Sequence, residues 1–151
     1  MEVHKSISNN EILKEFKNIM GVSLMNNAAN TCNIEQHISV ASVLWPEIVE
    51  VNDYIFISEF YNNNIENLEV QFNKNRKQIE QFVNSWSLYD FFFLSVNESI
   101  NNEKILMEFG NILKFFWELR LKELYKEREV VVEIGNNIMG ENGMTITLYQ
   151  A

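Results

Sequence analysis

A chain of 151 residues with 46% hydrophobic side chains and 11 phenylalanines is of single-domain size (1–151) and too apolar to remain disordered. Its 21 acidic against 12 basic residues give a net charge of −9, which repels phosphate backbones and anionic bilayers and argues against nucleic acid and membranes as partners. The longest apolar run, Phe91-Phe92-Phe93-Leu94, is far short of the ~20 residues that span a bilayer.

In chain order, Ser8-Asn-Asn-Glu11 has the spacing of a capping box and leads into Ile12, Leu13, Phe16, Ile19 and Met20, one helical face. Residues 21–33 are the least readable. Asn33-Ile-Glu-Gln36 opens a second helix carrying Ile34, Ile38, Ala41 and Trp45, stopped by Pro46. The period then falls to 2. Residues 47–51 and 54–60 flank Asn52-Asp53, a two-residue hairpin loop in which Asp53 has a structural reason to be, since Asx residues tolerate positive φ.

Ile65, Leu68, Phe72, Ile79, Phe82 and Trp86 repeat at helical spacing, favouring one helix, although Asn75-Arg-Lys-Gln78 could cap a second. Ser87-Leu-Tyr-Asp90 again has capping-box spacing. Asp90, one of only two aspartates beside 19 glutamates, is read first as a cap, then as a buried partner of Arg120, and last as a ligand or catalytic carboxylate. The longest helix runs from Asn102 to Lys126; Arg120 sits beside its apolar face between Phe116 and Leu124, where snorkelling is the default. Residues 129–134 and 144–149 alternate as a second strand pair around a glycine-rich loop.

The expected fold class is α+β: a small antiparallel sheet from two hairpins (about 47–60 and 129–149) with four to five helices packed mainly on one face. The hairpins are expected to join, because an isolated two-stranded ribbon is marginal in water.

The chemical inventory is thin. The two histidines, His4 and His37, and the single Cys32 cannot assemble a His/Cys metal site, and Cys32 cannot close an internal disulfide. A Cys32/His37 nucleophile pair is weighed against a core-edge histidine and a small buried cysteine, and the latter is preferred. Phosphate-loop, dinucleotide, nucleophile-elbow and zinc-protease motifs are missing from the sequence. No catalytic residue, metal or cofactor is assigned. Without an apolar signal core in residues 1–16, the cytoplasm is the expected location, and the 22 asparagines read as codon bias of an AT-rich, bacterial genome.

Three functions are compatible with this inventory. The first is a non-enzymatic protein-binding module of the inhibitor or immunity type. It would recognise a basic partner through Trp45, Glu47, Glu50, Asp53 and Glu59, where an aromatic anchor lies beside an acidic rim. The second is a small-ligand binder with an aromatic-lined pocket between sheet and helices. The third is a hydrolase using paired glutamates. A cavity of several hundred Å³ with convergent polar groups would favour the second.

Overall fold

Capping signals mark most helix starts. In the computed structural model, which describes residues 1–95 and 97–151, Asn9 accepts from the Glu11 N–H, but the segment it opens is a short 3-10 turn, Asn10–Glu15, not a helix reaching Met20. Ser23 caps α1 (Leu24–Thr31), inside the stretch whose pattern was unreadable. Helix α2 (Ile34–Leu44) opens with both halves of a capping box: Asn33 Oδ1 accepts from the Gln36 N–H, and Gln36 Oε1 from the Asn33 N–H. Its Ile34, His37 and Ile38, and Cys32 before it, are exposed, so the expectation of a core-edge histidine and buried cysteine is corrected.

Strands β1 (Ile48–Val51) and β2 (Tyr54–Ile57) pair antiparallel with Val51 opposite Tyr54. Asn52 and Asp53 turn the hairpin with φ of 50° and 67°, the left-handed pair that matches strand twist in a two-residue loop. After a 3-10 turn, Ser58–Phe60, the single helix favoured for 65–86 is two: α3 (Ile65–Gln71) and α4 (Arg76–Asn84). Asn73 and Lys74 both take positive φ, which ends α3, and the Asn75 side chain accepts from the Gln78 N–H to start α4. A two-residue bridge, β3 (Trp86–Ser87), runs into one turn of helix, α5 (Leu88–Phe91). Asn102 caps α6 (Glu103–Leu124). Strands β4 (Val130–Asn136) and β5 (Met144–Gln150) close the chain.

The fold is α+β, with two small antiparallel sheets: β1-β2 and β3-β5-β4. The hairpins therefore do not join through backbone ladders as expected, and α4 is the reason. From β2, the Ile55 N–H donates to Glu80 Oε1 at 2.9 Å and the Ile57 N–H to Asn84 Oδ1 at 2.9 Å. From β5, the Gln150 N–H donates to Glu80 Oε2 at 2.7 Å, while Asn84 Nδ2 donates to both Ile55 O and Leu148 O. Glu80 and Asn84 are fully buried, so two side chains of one helix supply the bonds that neighbouring strands would otherwise exchange.

Packing reflects this split. Ile146, Leu148 and Val132 turn one face of the three-stranded sheet towards α6, joined by Ile55, Ile57, Leu113, Trp117 and Leu121 in the larger core. Gly110 admits the close approach of α6: a Cβ there would lie 3.0 Å from Leu88 and 3.3 Å from Ile134. On the other face, buried Thr147 donates its hydroxyl to Gln81 O of α4. Tyr54 and Phe56, on the opposite side of β2 from Ile55, form a second core with Leu68 and Ile79. Among the described residues, no helix is long and apolar enough to cross a membrane.

Candidate functional site

The hairpin separates the acidic residues that sequence reading grouped. Beyond the Ile48/Ile57 pair the Ser58 N–H donates to Glu47 O at 2.9 Å, so Glu47 and Glu59 emerge together at the open end of the hairpin. Glu50 lies mid-strand, where its Oε1 is 2.7 Å from Arg128 Nη1. That bond is the chief reason the Arg128 guanidinium is held above its ordinary pKa. Asp53 sits at the far, closed end, its carbonyl accepting from Gln150 Nε2 at 2.7 Å. The structure thus brings Trp45, Glu47 and Glu59 together and leaves Glu50 and Asp53 apart.

At the open end lies a cavity of about 730 Å³. Its wall is assembled from many elements: Ser42 and Val43 in the last turn of α2, Trp45, Pro46 and Glu47 after it, Ile57 at the end of β2, Ser58, Glu59 and Phe60 of the 3-10 turn that follows, Trp86 of β3, Phe91 of α5, and Trp117 and Arg120 of α6. Trp117 and Arg120, three residues apart, share one side of α6. The indole N–H of Trp117 donates to Val43 O at 3.0 Å and ties the end of α2 to α6. Trp86 lies parallel to Trp117 with centroids 6.4 Å apart and meets Phe60 and Phe91 edge-on at 5.3 and 4.3 Å. These separations are those of ordinary aromatic packing, so the rings support one another.

Arg120 is the cation of this site. Its guanidinium carbon stands 5.3 Å from the Trp45 ring centre, within cation–π range, and its Nη1 is 3.4 Å from Glu123 Oε2. Its Nε–H is buried and finds no acceptor among the described residues. The pairing with Asp90 considered from sequence is not formed. Asp90 lies at the start of α5, where its N–H donates to Ser87 Oγ at 3.1 Å and its Oδ1 accepts from Asn142 Nδ2 at 3.1 Å. The cap is therefore half of a box: the carboxylate turns to the β4–β5 loop instead of back to Ser87.

A second cavity, of about 530 Å³, lies between the N-terminal segment and α6. Ile7, Ile12, Phe16, Phe109 and Ile112 make its wall mainly apolar, with Ser6, Ser8, Asn97, Ser99 and Glu108 at its edges, and among the described residues the buried Ser8 Oγ has no hydrogen-bond partner. Among the described residues no group of three or more His, Cys, Asp or Glu is placed to hold a metal ion. Trp86, Trp117, Phe60 and Phe91 were missed as site residues. Each has an apolar periodic context that reads as core, and only the bridge of β3 to β5 brings Trp86 to the cavity. No family model, curated protein or solved structure matches the chain.

Proposed function

We propose that this protein binds a small, ring-bearing molecule in the cavity between the open end of the first hairpin, α2 and α6. The observation behind this reading is the convergence of five aromatic side chains and one guanidinium on about 730 Å³, within the size range of ligand pockets. All three tryptophans of the chain line it, so tryptophan emission, excited selectively over the five tyrosines, reports on this cavity. Phenyl or heteroaromatic ligands should quench or shift that emission. A ligand at a hundred times its Kd should raise stability by about 2.7 kcal/mol. For a domain of this size that raises the unfolding midpoint by roughly 5–10 °C. Trp45 is the residue to remove, because it is 39% exposed at the end of α2 and contributes little to the core. Trp45→Ala should abolish the ligand-dependent shift while the unliganded midpoint moves little. A panel of ring compounds that never alters emission or midpoint would defeat this reading.

A second reading, a module bound by a basic protein, draws support from exposed Trp45, Glu47 and Glu59 at the mouth of the same cavity. Reversing Glu47 and Glu59 to lysine should then slow association with such a partner and remove its salt dependence. Association indifferent to both would eliminate it.

A further inference from the structure

We infer that the ligand of this cavity is amphoteric: a ring carrying a hydrogen-bond acceptor, carboxylate by preference, at Arg120 and a cationic amine at Glu47 and Glu59. This rests on the ring-binding reading above and adds the charge pattern. Two observations point to the charges. Among the described residues the buried Arg120 Nε–H has no acceptor, and the guanidinium that carries it lines the cavity, so a ligand acceptor meeting that group is worth more than one in water. The guanidinium, a planar fork of donors, lies within cation–π range of the Trp45 ring and suits a carboxylate.

The opposite sign comes from the rim. Among the described residues neither Glu47 nor Glu59 takes part in an ion pair, whereas Arg120 already shares its charge with Glu123. The excess at the mouth is therefore negative. A ring bearing only a carboxylate meets that repulsion on entry, and a ring bearing only an amine leaves Arg120 Nε–H unanswered. A molecule with both groups satisfies each end. The two ends differ in strength: a buried, charge-assisted bond to Arg120 should be worth about ten- to a hundredfold in affinity. Contacts to exposed carboxylates should be worth at most about fivefold each and should weaken with salt.

Calorimetric titration of the full chain with four probes sharing one ring separates the parts: indole, indole-3-propionate, tryptamine and L-tryptophan. L-Tryptophan should bind at least about tenfold more tightly than indole and tryptamine, which lack the carboxylate, and more tightly by a smaller, salt-dependent factor than indole-3-propionate. Arg120→Gln should weaken L-tryptophan and indole-3-propionate by about ten- to a hundredfold and leave indole and tryptamine unchanged. Arg120→Lys, which keeps the stem and the charge but not the Nε–H, should lose the same discrimination. Thermal unfolding of both variants confirms that the fold survives. Glu47→Gln with Glu59→Gln should weaken only the two amines and abolish their salt dependence. Indole binding as tightly as L-tryptophan would overturn the charge pattern while leaving the ring-binding cavity standing. All four failing to bind would overturn both.

Discussion

Ser87 carries two bonds at once. Its hydroxyl accepts from the Asp90 N–H and donates to Asn142 O at 2.6 Å, and the residue is fully buried. Asp90 beside it makes one exposed contact, to the Asn142 side chain. The two residues of one capping motif should therefore differ sharply on substitution. Ser87→Ala leaves a helix-start donor and a loop carbonyl unpaired and should cost about 1–3 kcal/mol. Asp90→Asn, whose amide oxygen can still accept from Asn142, should stay within about 0.5 kcal/mol of the parent. Denaturant midpoints of the two variants settle the comparison, and a larger loss at 90 than at 87 would mean that Asp90 has a partner beyond Asn142. Local spacing made this cap legible, because Ser87 and Asp90 are three residues apart. The bond to Asn142 spans 52 residues and leaves no mark on the pattern.

At the scale of elements, α4 decides the architecture. Glu80 accepts three N–H bonds, from Ile55, from the Gln150 backbone and from Gln150 Nε2 at 2.6 Å, and donates none. Only a group with acceptors on both tips fits that arrangement. Glu80→Gln turns one acceptor into a donor aimed at another donor and should cost about 1–3 kcal/mol despite identical shape. That is a fall of roughly 2–12 °C in unfolding midpoint for a chain of this length. An unchanged midpoint would show that the bridging carboxylate is dispensable. In sequence, Glu80 looks like any solvent-side residue of an amphipathic helix, and the two hairpins look ready to join. Periodicity says which side of an element is apolar; it does not say that a carboxylate 25 residues from one strand and 70 from another is their shared acceptor. The break at Asn73 and Lys74 is ambiguous for a related reason. Positive φ at a lysine is a tertiary outcome, and only the Asn75 cap leaves a local signature.

For the whole molecule, the α+β class was legible because strand and helix periods occupy separate stretches of chain. The candidate site was legible only in part: Trp45, Glu47 and Glu59 are near neighbours in sequence, whereas Trp86, Trp117 and Arg120 reach the cavity through the packing of β3 and α6. The α4 bridge has a further consequence, in the time domain. The amides of Ile55 and Ile57 and that of Gln150 are separated by more than ninety residues, yet all three donate to α4 side chains instead of a strand partner. Solvent deuterium can reach them only when α4 lifts away. The three amides should therefore exchange at a common rate, slower than the hairpin tip, and Glu80→Gln should accelerate all three together. Residue-resolved exchange with independent rates at 55 and 150 would show that the two sheets open separately.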